Sequence, residues 1–138
     1  MNSTTDIPRS NYLTRAKQSL DPNVWNIPDD GTPPILQYGI KTQIVHAIED
    51  IRNIVSVNEL YIAGPITSNM GGDTDPINVY VEVEDEEIDS LVASRLSYLL
   101  QKMNHKLAVS TSHTIIYMIC PGEFEYNDHE AVYNVRSE

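Results

Sequence analysis

Between Ile77 and Glu84 the chain alternates almost without error. Ile77, Val79, Val81 and Val83 point one way, and Asn78, Tyr80, Glu82 and Glu84 the other, which predicts a strand with one core face and one polar face. Upstream, from Ile35 to about Val55, apolar residues fall at 40, 44, 47/48, 51 and 54/55, a helical stripe that breaks near Ser56–Asn58. Glu59–Ala63 then reads as a short buried strand, closed by Gly64-Pro65, and Asn69–Asp73 is a turn. Past the alternating strand, Asp85-Glu86-Glu87 opens a second helix, with Asp85 as its expected N-cap. Its apolar stripe runs through Ile88, Leu91/Val92, Leu96, Leu99/Leu100 and Met103. His113–Cys120 is apolar on both faces and predicts a central strand, with a short edge strand or extended linker at Leu107–Val109. The tail from Glu123 carries Phe124, Tyr126, Val132, Tyr133 and Val135 and predicts partial packing without regular structure.

Before these elements, residues 1–34 are punctuated by Pro8, Pro22, Pro28, Pro33 and Pro34 and read as a Pro-rich N-terminal arm. One or two helical turns are expected from Tyr12 to Leu20. Arg9, Arg15 and Lys17 make the arm locally basic, and Leu13, Leu20, Val24 and Trp25 would wrap it onto its own domain, residues 35–138. The order helix, strand, turn, strand, helix, strand predicts an α+β fold, a small mixed β-sheet with two main helices packed on one face. The Gly64 turn and the polar face of the second strand would then share one cleft.

Composition narrows the functions available. With 20 acidic against 9 basic residues the net charge is −11, which disfavours binding to a nucleic-acid backbone, since that affinity comes from Lys and Arg displacing counterions. Cys120 is the single cysteine, which excludes an intramolecular disulfide and a cysteine-based zinc cage. His46, His105, His113 and His129 form no metal-binding motif, and read as scattered surface or core residues. No apolar run approaches a membrane span, and Met1–Leu13 lacks the apolar stretch of a secretory signal, so a cytoplasmic location is expected. Ser110, Ser112 and His113 lack a nucleophile-elbow context, and Asp73-Thr74-Asp75 lacks EF-hand spacing. Tyr117, Tyr126 and Tyr133 could stack a base but read first as packing residues.

LDPNVW (20–25), Gly64-Pro65, Asp75–Asn78, IIYMIC (115–120) and AVYNV (131–135) together resemble phrases of the small nucleotidyltransferase-fold proteins often carried by bacteriophages. LDPNVW (20–25) is similar to the phrase that precedes the first helix there. Gly64 falls on the glycine of a Gly-Ser pair after the first strand, and Pro65 on its serine. Asp75, Pro76, Ile77 and Asn78 fall on the Ser-Asp-Ile-Asp phrase that opens the second. IIYMIC (115–120) and AVYNV (131–135) are similar to the third strand and the closing phrase. The resemblance implies a nucleotide cleft at Gly64, Pro65 and Asn78. In-line nucleotidyl transfer needs two magnesium ions held by bridging carboxylates. Pro76 has no ligand atom, Asn78 has one neutral amide oxygen, and Pro65 has neither hydroxyl nor backbone N–H.

The expected function is therefore a catalytically inactive nucleotidyltransferase-fold protein acting as a binding or assembly module, with no cofactor. Phage origin would make it virion-associated or host-interacting, in the host cytoplasm or the virion. A protein partner or self-association would use the acidic edge of Glu82, Glu84, Asp85, Glu86 and Glu87, or the basic arm. Nucleotide binding without turnover stays open. So do two other functions: a Mg-dependent transferase with a displaced site of Asp73, Asp75 and Glu82, and an acidic inhibitor of a basic host protein.

Overall fold

The computed structural model describes residues 20–67, 75–125 and 132–135. The turn at Asn69–Asp73, the arm residues before Leu20, and Tyr126 and Ala131 lie outside the described residues. The first described turn belongs to LDPNVW. Asp21 Oδ1 accepts from Asn23 N–H (2.8 Å), and the Asp21 carbonyl accepts from the N–H groups of Val24 and Trp25. This Asx-type turn, with Pro22 fixing one backbone angle, delivers β1 (Trp25–Asn26). β1 pairs antiparallel with β2 (Ile35–Leu36), with Trp25 opposite Leu36.

That pairing is why α1 spans Tyr38–Arg52 and does not begin at Ile35. Ile35 and Leu36 are extended in the ladder, and the Leu36 N–H is donated to the Tyr133 hydroxyl at 3.1 Å. Ile40, Ile44, Ile48 and Ile51 form the buried stripe of α1, each at most 1 % exposed. Burying four such side chains contributes on the order of 6–12 kcal/mol, the largest block of apolar burial from any one helix here. Residues 20–36 belong to this same core, since Leu20, Val24, Trp25 and Leu36 are all buried in it.

A five-stranded sheet forms the rest: β3 (Val57–Ala63), β4 (Ile77–Val83), β5 (Lys106–Leu107), β6 (Thr114–Pro121) and β7 (Tyr133–Asn134), in the spatial order β5-β6-β4-β3-β7. β3 and β4 are antiparallel, whereas β4 and β6 are parallel. Parallel neighbours need a crossover, and α2 (Ser90–Met103) provides it. The fold is thus α+β, with a mixed sheet and its two helices on one face. Between Val57 and Glu59 the register slips by one, leaving Asn58 as a bulge, so Val57 and Leu60 both reach the core. Ile77, Val79, Val81 and Val83 are fully buried, while Asn78, Tyr80 and Glu82 are half-buried on the opposite face.

The second helix departs from the expected start. Asp85–Glu87 is a 3-10 turn, and the N-cap of α2 is Asp89, whose carboxylate accepts from Val92 N–H at 2.8 Å. Glu84 and Glu87 are drawn to the start of β3 instead, which turns the chain early. Asp89→Ala is expected to cost about 1 kcal/mol in chemical denaturation, the typical value of a side-chain cap; Asp85→Ala should leave the midpoint nearly unchanged. Of the Leu91/Val92 position in the predicted stripe, Val92 is the residue that packs against the core, and Leu91 is 68 % exposed. β6 lies between β5 and β4 as a central strand, yet Ile116, Met118 and Cys120 are only half-buried because no helix among the described residues covers their face. The tail, expected to be irregular, adds β7 to the free edge of β3.

Candidate functional site

The face of the sheet away from the helices gathers the residues of the predicted cleft. Strand register places Glu59, Tyr61 and Ala63 of β3 beside Glu82, Tyr80 and Asn78 of β4, and these beside Cys120, Met118 and Ile116 of β6. Gly64 follows Ala63 with φ +95°, and a Cβ there would come within 3.0 Å of the Asn78 side-chain nitrogen. The positive φ is what demands glycine here, and a Cβ would also press on the end of the Asn78 side chain. Gly64, Pro65 and Asn78 are therefore neighbours at one end of the β3–β4 pair. Pro65 opens the 3-10 turn Pro65–Thr67, and Thr67 donates both its N–H (3.0 Å) and its hydroxyl (2.7 Å) to the Gly64 carbonyl. That closes the turn on itself.

The middle of the face is aromatic. Phe124, from the segment after β6, stacks on Tyr80 (centroids 4.6 Å, 26° between planes) and on Tyr61 (5.1 Å, 28°). Its backbone N–H is donated to Glu82 Oε2 at 2.8 Å. Gly122, at φ +81°, makes the reversal possible, and its N–H is donated to the Val83 carbonyl at 3.0 Å. Burial pushes the neighbouring Cys120 thiol up, and the Glu82 carboxylate adds to that, so the thiol is a poor nucleophile.

The candidate metal ligands are spread out. Asn78 and Glu82 share the face but stand four residues apart along β4, about 13 Å, with Tyr80 between them. Asp75 precedes β4, and its carbonyl faces His113. Asp73 lies outside the described residues. Among the described residues no group of three or more His, Cys, Asp or Glu side chains could hold a metal ion.

Part of the predicted acidic interaction surface is used inside the chain. Glu82 holds Phe124, Glu84 Oε2 accepts from the Asn58 side chain (2.7 Å), and Glu87 Oε1 accepts from Ser56 N–H (2.8 Å). That bond to Ser56 holds the Glu87 carboxyl below its ordinary value. Asp85 and Glu86 are exposed on the 3-10 turn between them. No helix among the described residues is long and apolar enough to cross a membrane.

A second polar cluster, behind the Gly64–Asn78 end, had no counterpart in the sequence reading. His113, expected as one of several scattered histidines, is 1 % exposed. Its Nδ1 lies 2.6 Å from the Asp75 carbonyl and its Nε2 2.6 Å from Asp21 Oδ2. Burial raises the Asp21 carboxyl, but the hydrogen bond from His113, the Asn23 N–H and the charge on His113 outweigh it and hold the group below the ordinary carboxylate value. Trp25 sits alongside, fully buried, donating Nε1–H to the Ile66 carbonyl (2.9 Å) and meeting Tyr133 edge-on at 5.0 Å. Asp21 and His113 are 92 residues apart in the chain. The available signal was Asp21 itself, an acid locked in a turn just before the buried Val24-Trp25.

No protein-family model, curated protein or solved structure matches the chain.

Proposed function

We propose that this chain is a nucleotidyltransferase-fold domain without transfer chemistry, serving as a binding or assembly module. The observation that carries the reading is the state of Glu82. It is the carboxylate of β4 on the face where metal ligands would be needed, and it is engaged by the backbone of Phe124, whose ring lies over Tyr61 and Tyr80. An amide at position 78 and a proline at 65 remove the charge and the donor that a metal-bound triphosphate requires. The nearness of Gly64 to Asn78 supports the family reading, because that is where the resemblance puts the nucleotide cleft. The resemblance of LDPNVW and the later phrases to phage-carried proteins supports a role in a virion or in contact with a host protein. The fold class alone would not license this.

A protein partner would meet the exposed turn at Asp85 and Glu86, where charge is not committed to a hydrogen bond among the described residues. The test is capture from host lysate at low and high salt by the parent and by a variant with Asp85→Lys and Glu86→Lys, alongside sedimentation of the purified chain. A specific partner or a self-associated species that the double variant loses is the expected result. A chain that transfers label from a Mg–nucleoside triphosphate to any acceptor in the same lysate is the displaced-site enzyme, and overturns the proposal.

A further inference from the structure

The charges of this chain are unevenly placed. Residues 90–122 contain Arg95, Lys102 and Lys106 but no Asp or Glu, so all 20 acids lie outside α2, β5 and β6. The acidic run 82–89 ends directly before that stretch, with Asp85 and Glu86 exposed. These two acids therefore stand off the N-terminal end of α2. Lys102, in its last turn, and His105 and Lys106, just past it, stand at the other end and are exposed too. A 14-residue helix is about 21 Å long. The two ends are too far apart to pair within one chain.

Between those ends α2 presents an outer face. Leu96 and Met103 turn to the core, while Leu91, Arg95, Tyr98 and Lys102, at steps of four, three and four, form the opposite stripe and are exposed. Lys102 Nζ lies 4.4 Å from the centre of the Tyr98 ring. Ser94 and Ser97, small and exposed, leave room for another backbone to come near. A shallow hollow of about 430 Å³, lined by Ser97, Leu100, Gln101, Asn104 and His105, opens beside the C-terminal half of the stripe.

We propose that this face is a homodimer interface, in which α2 of a second copy packs antiparallel about a twofold axis near residues 94–98. Inverting one helix on the other brings Arg95 of each copy beside Tyr98 of its partner, and Leu91 beside Lys102 and the hollow. The turn at Asp85 and Glu86 comes beside His105 and Lys106, and the twofold repeats each contact. A wholly acidic partner would meet only the basic end, and a basic one only the acidic turn; an inverted copy meets both. Each copy carries −11 overall, but charges more than about 10 Å apart are largely screened at 0.1 M salt, so the contacting pairs decide. The inference rests on the assembly reading above and names its partner as a second copy of this chain.

Sedimentation of the purified full chain over a range of concentrations tests it. The parent is expected to pass from 15.6 kDa to twice that mass as concentration rises. Lys102→Glu with Lys106→Glu, and separately Asp85→Lys with Glu86→Lys, should each stay monomeric, because like charges then meet at both ends. Mixed in equal amounts, the two variants should form a dimer of one of each, since one is acidic and the other basic at both ends of α2. In the parent, the amides of Leu91, Arg95 and Tyr98 should shift with concentration while those of Ile77–Val83 stay still, which decides the matter if a variant does not fold. A parent that is monomeric throughout, a variant that dimerises alone as the parent does, a mixture that stays monomeric, or a species larger than a dimer would each overturn the proposal. A monomeric parent leaves the binding-module reading standing, because that reading is lost through transfer of label from a Mg–nucleoside triphosphate.

Discussion

Replacing Trp25 with alanine should cost about 3–5 kcal/mol of folding stability, as full truncation of a buried indole does. The ring is completely buried, packs edge-on against Tyr133, and donates to the Ile66 carbonyl. Two segments far apart in the chain, at Ile66 and Tyr133, lose a shared neighbour at once, and the Ile66 carbonyl loses its donor. Urea denaturation of the parent, Trp25→Ala and Trp25→Phe separates the contributions. The phenylalanine variant keeps most of the packing and loses the indole donor, so it should cost less, about 1–2 kcal/mol. An alanine variant within about 0.5 kcal/mol of the parent would mean that residues 20–36 do not belong to the core.

The second large effect is expected at His113. His113→Leu removes the ring that links the Asp21 carboxylate to the Asp75 carbonyl, leaving both facing an apolar side chain. Losing a hydrogen bond to a charged group costs about 1.5–3 kcal/mol; the upper end, about 3 kcal/mol, applies because the ring that Asp21 loses is 1 % exposed. The sign with pH follows from Asp21. Its carboxyl is held below the unfolded value, so its contribution is complete above the ordinary carboxylate range and is lost as pH falls through the folded value. The gap between parent and His113→Leu in denaturation midpoint should therefore narrow on acidification. A gap that widens as the pH falls would contradict the carboxylate's part in the pair.

The elements that sequence alone revealed are those with a short-range signature. The alternation of Ile77–Val83 and the isoleucine stripe of α1 each state a period and a buried face, and each face is the one observed. What escaped depends on partners distant in sequence. β7 has two residues and exists because β3 offers a free edge, so no local pattern announces it. The start of α1 was displaced by the pairing of Ile35 and Leu36 with β1. Asp85 has good N-cap chemistry, but the bonds of Glu84 and Glu87 to Asn58 and Ser56 form a 3-10 turn there and pass the cap to Asp89.

The candidate site divides in the same way. Gly64, Pro65 and Asn78 could be brought together on paper because a turn and two strands link them, and in the fold they lie side by side. Phe124 could not be assigned to the cleft from its own neighbourhood, since its place over Tyr61 and Tyr80 depends on Gly122 reversing the chain after β6. The acidic run from Glu82 to Glu87 looked like one surface, but Glu82, Glu84 and Glu87 are each engaged within the chain as hydrogen-bond acceptors.

Under the proposed function, the face around Gly64, Asn78 and Glu82 has no metal-dependent nucleotide chemistry. Titration of the labelled chain with Mg–ATP and the other Mg–nucleoside triphosphates, read from backbone amides, tests this most directly. The account predicts no localised shifts at Gly64, Asn78, Glu82 and Phe124 at millimolar ligand. Saturable shifts confined to those residues, and abolished when magnesium is chelated, would contradict it.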